Sequence, residues 1–162
     1  MLARVRSAAV LGIDAYLVDV ETDIANGLPT FATVGLPQGA VKEGRERVYA
    51  ALANTGYTFP LKRITVNLAP ADIRKDGSAF DLPIAVGILA ATEQISSERL
   101  GRVAVLGELG LEGAIRPVRG ALPDMSTMSP TRTASAPRTA GSDHVTPAVF
   151  AASVPEIGRA HV

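Results

Sequence analysis

The stretch Lys75-Asp76-Gly77-Ser78-Ala79-Phe80-Asp81-Leu82-Pro83-Ile84-Ala85 joins a polar, glycine-bearing turn to an apolar run. The run continues as Val86-Gly87-Ile88-Leu89-Ala90-Ala91, apolar on nearly every side at helical spacing. A helix of that kind is a buried one. It is expected to begin near Asp81, whose carboxylate is placed to cap the free N–H groups of the first turn. Pro83 fits the same turn, where no intrahelical donor is lost.

Working outward, Arg63 to Leu68 alternates apolar and polar residues and reads as a strand, with Pro70 to Gly77 as the loop that follows. A second helix is expected from about Gln38 to Thr55. Its Ala40, Val41, Gly44, Val48, Ala51 and Leu52 share one face, while Lys42, Glu43, Glu46 and Arg47 fall largely on the other. The i,i+4 pairs Lys42–Glu46 and Glu43–Arg47 are each worth roughly 0.2–0.5 kcal/mol. Gly56 is a suitable stop. Met1 to Ser7 reads as a first strand and Ala15 to Glu21 as the next, with Asn26-Gly27 a tight turn. Thr30 to Val34 is expected to return as the second arm of that hairpin. Val103 to Leu109 and Leu111 to Pro117 form a closing hairpin through Gly110.

The composition is that of one ordinary domain. Of 162 residues, 47% are hydrophobic and 20% charged, which is globular rather than disordered. Aromatics are 4% with no Trp, so the core rests on Val, Ile, Leu and Ala. Lys plus Arg and Asp plus Glu are both 16, which removes a global electrostatic bias toward nucleic acid or an anionic membrane. With no Cys, disulfides and Cys-ligated metals are excluded. No run reaches the roughly 18 to 20 apolar residues of a membrane span. Asp14, Asp19 and Glu21 interrupt what a secretory leader would keep apolar. The cytoplasm is the expected compartment and no membrane partner is expected.

Near Pro123 the character changes. Met125 to Pro147 is dominated by Ser, Thr, Pro and Ala without a period of 2 or 3.6. Such a segment buries too little apolar surface to offset its ordering entropy. The expected division is a folded domain over 1–123 and an irregular, disordered tail over 124–162.

Several runs together resemble one family. They are Asn26-Gly27-Leu28-Pro29, Val34-Gly35-Leu36-Pro37, Val41 to Val48, Arg63 to Asp72, Phe80 to Ala85, and Gly107-Glu108-Leu109 with Gly113 to Gly120. This is similar to the N-terminal domain of the magnesium chelatase-like AAA+ ATPases of the YifB or ComM type, over about residues 1–123. The resemblance implies an α+β fold of the ribosomal protein S5 domain 2-like kind, shared with the Lon protease domain: a mixed sheet packed against two main helices. It implies that longer members carry an ATPase module using ATP and Mg²⁺. It also implies hexameric, ATP-driven branch migration of DNA in natural transformation. The partners it implies are the AAA+ ring of related subunits and DNA. The tail after Pro123 departs from the family pattern, so a truncated gene or a shifted reading frame is expected.

A nucleotide P-loop needs Gly-x-x-x-x-Gly-Lys-Ser/Thr, because backbone N–H groups and the lysine cradle phosphates. This chain has no Gly-Lys dipeptide; Gly35 to Lys42 is the closest lookalike and reads as a structural turn. No cofactor is therefore expected for this chain. A serine–lysine peptidase needs a nucleophile and a desolvated lysine base. The Lon resemblance places its nucleophile at Ala79 and its lysine at Leu122, neither of which transfers protons. Ser78, one residue away, reads as a loop serine bonding backbone groups. Lys75 reads as a solvated loop lysine of high pKa, a poor base. Asp72, Asp76 and Asp81 are carboxylates of the type Mg²⁺ prefers, but turn formation and capping explain them more simply. His144 and His161 lack ligand spacing. Lys62, Arg63, Arg74 and Lys75 read first as an ordinary solvated basic surface, since no aromatics interleave for base stacking; the functional alternative is that they meet on one edge as a modest phosphate-contacting patch. The leading expectation is a noncatalytic accessory domain. A degenerate Lon-like serine peptidase acting through Ser78 and a free-standing S5-like nucleic-acid-binding module remain the alternatives.

Overall fold

A computed structural model describes residues 1–11, 14–116, 118 and 151–153. Its architecture is α+β: one mixed sheet of six strands carries two helices, and a small hairpin stands beside them. The strands are β1 (Leu2–Leu11), β2 (Asp14–Ala25), β3 (Thr30–Val34), β4 (Arg63–Ala69) and β5 (Val103–Val105). β6 (Glu108–Leu109), β7 (Ile115–Arg116) and β8 (Ala151–Ser153) complete the set. The helices are α1 (Gly39–Asn54) and α2 (Asp81–Ala91).

The sheet runs β3-β4-β2-β1-β5-β8. β2 is antiparallel to both β1 and β4, whereas β3 is parallel to β4 and β5 parallel to β1. The expected hairpin between β2 and Thr30–Val34 is therefore corrected. Both edges of β2 are taken, by β1 and β4, so β3 passes beyond them and pairs with the outer edge of β4. The closing hairpin is corrected as well. Val103–Val105 joins the main sheet, and only Glu108–Leu109 pairs with Ile115–Arg116. The break falls at Gly107, whose N–H donates to Ala79 O and whose carbonyl accepts from Leu82 N, both at 3.0 Å. A Cβ there would press on Ile115 and Leu82 at 3.0–3.3 Å.

Period-2 alternation sorts the faces. Ala3, Val5, Ser7 and Ala9 of β1, Val18, Val20, Thr22 and Ile24 of β2, and Ile64, Val66 and Leu68 of β4 point inward and are buried. α2 lies on β1 and β2, and α1 packs on α2. All residues of α2 except Val86 are buried, as its unbroken apolar character requires. At Gly87 the helix comes so close that a Cβ would overlap the Thr22 hydroxyl. The opposite face of the sheet is polar, with Arg4 donating to Glu21 at 2.7 Å and Asn67 donating to Glu21 at 2.8 Å. Among the described residues no helix is long and apolar enough to cross a membrane. Most of the 124–162 tail lies outside the described residues; Ala151–Ser153 pair antiparallel with β5 at the sheet edge.

Candidate functional site

The start of α2 is a meeting point of three elements. α1 brings Arg47, the turn before α2 brings Ser78 and Ala79, and the β6–β7 hairpin brings Glu108 and Arg116. Asp81 sits in the middle with its side chain 1% exposed. Arg47 grips it with Nε donating to Oδ2 at 2.6 Å and a terminal guanidinium N–H donating to Oδ1 at 3.1 Å. The same guanidinium also donates to Ala40 O at 2.7 Å, and Leu109 N–H donates to Asp81 Oδ2 at 3.3 Å. α1 comes this near because residue 44 has no side chain: a Cβ on Gly44 would stand 2.6 Å from Asp81 Oδ1.

This corrects two expectations. Asp81 does not cap α2. Phe80 occupies the N-cap without a side-chain bond, and the Asp81 carboxylate turns away to a guanidinium and a hairpin amide. Arg47 does not serve as the surface partner of Glu43; it crosses between helices to Asp81. Burial pushes the Asp81 carboxyl above the ordinary carboxylate range, against the opposing pull of Arg47 and the Leu109 N–H. The hydrogen bond to Asp81 in turn holds Arg47 above its usual value.

Ser78 finds a side chain, not the backbone it was expected to bond. Its hydroxyl donates to Glu108 Oε2, and Arg116 approaches the other carboxylate oxygen at 3.5 Å. Donation from Ser78, then the nearby Arg116 and Arg47 charges, hold the Glu108 carboxyl below its ordinary 4.5. Ala79 stands beside Ser78 with its carbonyl taken by Gly107. Leu122 lies outside the described residues.

Lys75 is the largest surprise. It was read as a solvated loop lysine, yet it is 0% exposed. The Gly35–Gln38 turn folds over its loop: Lys75 N donates to Leu36 O at 3.2 Å, and Gln38 N donates to Lys75 O at 2.8 Å. Its Nζ donates to Pro70 O. Burial pushes the amine below its usual range, with Asp72 opposing. Its one hydrogen bond runs back into its own loop, while Ser78 is engaged with Glu108, so the two are committed to different partners.

The four basic residues do not form one patch. Lys62 and Arg63 are exposed at the start of β4, whereas Arg74 lies past its end. Seven residues at about 3.3 Å each separate the two ends by roughly 20 Å. Arg74 instead donates to Gln38 Oε1 at 3.3 Å, and Lys75 is covered. The Gly35 turn packs against the Lys75 loop. The Gln38 N–H donates to Lys75 O, the Leu36 carbonyl accepts from Lys75 N, and a Cβ on Gly39 at the start of α1 would lie 3.7 Å from the Asp76 carboxylate. Among the described residues no three acidic or imidazole side chains gather as a metal site requires. Asp76 accepts from Gly77 N at 2.8 Å, and Asp81 is spent on Arg47.

Sequence reasoning missed Arg47 and Glu108 as members of this cluster. A signal for the first was present: an acid opening an otherwise apolar, buried helix requires a buried cation or donor to offset its desolvation.

The family model described as subunit ChlI of Mg-chelatase matches residues 20–136. YifB of Salmonella typhimurium is 51% identical over 121 residues, and YifB of Escherichia coli is 49% identical over 121. The competence protein ComM of Haemophilus influenzae is 50% identical over 122 residues. Each alignment covers 75% of this chain and 24% of the relative, so the chain spans about a quarter of the length of the proteins it matches. The runs that pointed to the family include the residues of the α1–α2 contact, Gly44, Arg47 and Asp81, together with Glu108. The chain belongs to the magnesium chelatase-like family of the YifB and ComM type.

Proposed function

We propose that this chain is a noncatalytic accessory domain of a YifB/ComM-type ATPase system, built on the S5 domain 2-like scaffold shared with the Lon protease domain. The observation that carries the reading is the state of the α2 entrance. At the position where the Lon resemblance places a nucleophile there is Ala79, and the neighbouring Ser78 donates to a carboxylate of lowered basicity. The ion pair behind it joins α1 to α2, so the cluster serves as a brace. In this reading the domain acts in the cytoplasm, contacts the ATPase ring of related subunits and assists DNA branch migration, while ATP and Mg²⁺ belong to the ATPase module. ComM carries competence in its name, which supports that assignment.

Two measurements on the full chain test it. Titration with Mg·ATP followed by thermal unfolding is expected to give no saturable stabilisation, since a ligand bound to the native state raises the melting temperature with concentration. Labelling with a serine-reactive fluorophosphonate is expected to fail. Saturable stabilisation, or a label that Ser78→Ala abolishes, would overturn the noncatalytic reading. The separation of Lys62 and Arg63 from Arg74, with Lys75 covered, weighs against a free-standing nucleic-acid module.

A further inference from the structure

β3 closes one side of the sheet and pairs, among the described residues, with β4 alone. Thr30 N donates to Lys62 O at 3.4 Å. Successive residues of a strand direct their main-chain groups to opposite edges, so Thr30, Ala32 and Val34 serve β4 while Phe31 and Thr33 face outward. The outward row is thus two N–H groups and two carbonyls. The strand Thr30-Phe31-Ala32-Thr33-Val34 carries no charge, proline or bulge, the devices by which exposed edges are kept from pairing. Its surroundings are apolar. Phe31 stacks on Phe59 at 6.4 Å between ring centres, and Tyr49 of α1 meets Phe59 edge-on at 5.0 Å. Leu28 and Leu61 lie at the entry of the strand with 84% and 78% exposure, and Val34 and Leu36 are exposed at its exit.

We propose that this edge binds a second copy of the chain, β3 to β3 and antiparallel, about a twofold axis through Ala32. The register follows from the outward groups. Centred on Ala32, Phe31 of one copy stands opposite Thr33 of the other, and these are the residues with free main-chain groups. Each such pair exchanges two hydrogen bonds, so all four outward groups of each copy are satisfied. Ala32 meets Ala32 as the close, non-bonded pair, where two methyl groups fit. The two Phe31 rings become diagonal neighbours about 7–8 Å apart, within aromatic reach. No charged side chain of the strands meets another. The antiparallel sense also turns the Lys62–Arg63 end of one copy toward the other's Asp72, Arg74 and Asp76, an exposed trio with one net negative charge.

Sedimentation velocity of the full chain tests this over roughly a hundredfold range of concentration, because a dimer of this kind dissociates on dilution. The wild type is expected to pass from monomer to dimer. Ala32 is exposed, so Ala32→Lys and Ala32→Glu should each keep the wild-type circular dichroism and, at concentrations low enough for all three to be monomers, the wild-type melting temperature. Each should weaken the dimer by about tenfold or more at low salt, since like charges directly opposite repel. An equimolar mixture of the two variants should restore dimers. Thr33→Pro gives a second route: it removes an outward N–H while leaving the β4 pairing intact. A wild type that stays monomeric throughout overturns the proposal and leaves the edge to another protein's strand. Dimers unaffected by both Ala32 charges, or a mixture that fails to re-form them, overturn it equally.

Discussion

A single carboxylate organises the entrance to α2. Asp81 is buried against an apolar helix, where an isolated charge would be far too costly to keep. Its ionised form is tolerated because Arg47 binds both oxygens and the Leu109 amide adds a third contact. The consequence is asymmetric. Removing the cation alone strands the acid, whereas removing both leaves only a packing problem. Arg47→Met is therefore expected to lower the unfolding free energy by about 3 kcal/mol, the lower end for breaking a buried pair. The double variant Arg47→Met, Asp81→Leu should recover most of that loss. Urea denaturation read by circular dichroism measures both; a single variant within about 0.5 kcal/mol of wild type, the range of ordinary surface changes, would sink the assignment.

At the scale of elements, the α1–α2 contact depends on what α1 lacks. Gly44 sits mid-helix, where glycine costs about 1 kcal/mol relative to alanine, so its presence calls for a packing reason. The reason is the Asp81 carboxylate, 2.6 Å from where a Cβ would be. Gly44→Ala should thus destabilise the wild type by about 1–3 kcal/mol through overpacking. In an Asp81→Ala background the obstruction is gone, and the same substitution should stabilise by up to about 1 kcal/mol from helix propensity. The change of sign across this cycle, measured by denaturant unfolding, is the test; the same sign in both backgrounds refutes the contact. Gly44 was legible in the sequence as part of the apolar face of α1, but its partner was not. Helix periodicity reports which side is buried and is silent on which atom lies across the gap. Asp81 shows the same division. Its place at the helix start was readable, and capping was the local interpretation; the long-range ion pair that replaced it depends on α1 being overhead. Lys75 looked solvated because its neighbours in sequence are polar, and the turn that covers it comes from nearly forty residues earlier in the chain.

On the scale of the whole molecule, the main strands and both helices could be read from period and punctuation, while strand order could not. Asn26-Gly27 signals a turn but not where the chain goes afterwards, and β3 passed its neighbour in sequence to reach β4. The order that results makes β1 more than a first strand. Among the described residues it is the strand bridging the antiparallel β2 side and the parallel β5 side, and with β2 it forms the floor beneath α2. Val5 contributes a fully buried side chain to that floor, with Ala3 and Ala9 beside it. The family model matches from residue 20, so its span by itself leaves out this segment. A chain beginning at Asp14 loses ten paired residues of β2, the parallel contact to β5 and half the platform of α2. Hydrophobic burial exceeds chain entropy only narrowly in a domain this size, so the remainder should not reach a cooperative native state. Its urea transition should be broad and its backbone amides unprotected against exchange. A chain ending at Val118 keeps β1 to β7 and should unfold cooperatively with strong protection in β1, β2 and β4, the interior strands. A sharp transition from the Asp14 chain at the wild-type midpoint would show that β1 is an accessory edge and not the keystone that the sheet order implies.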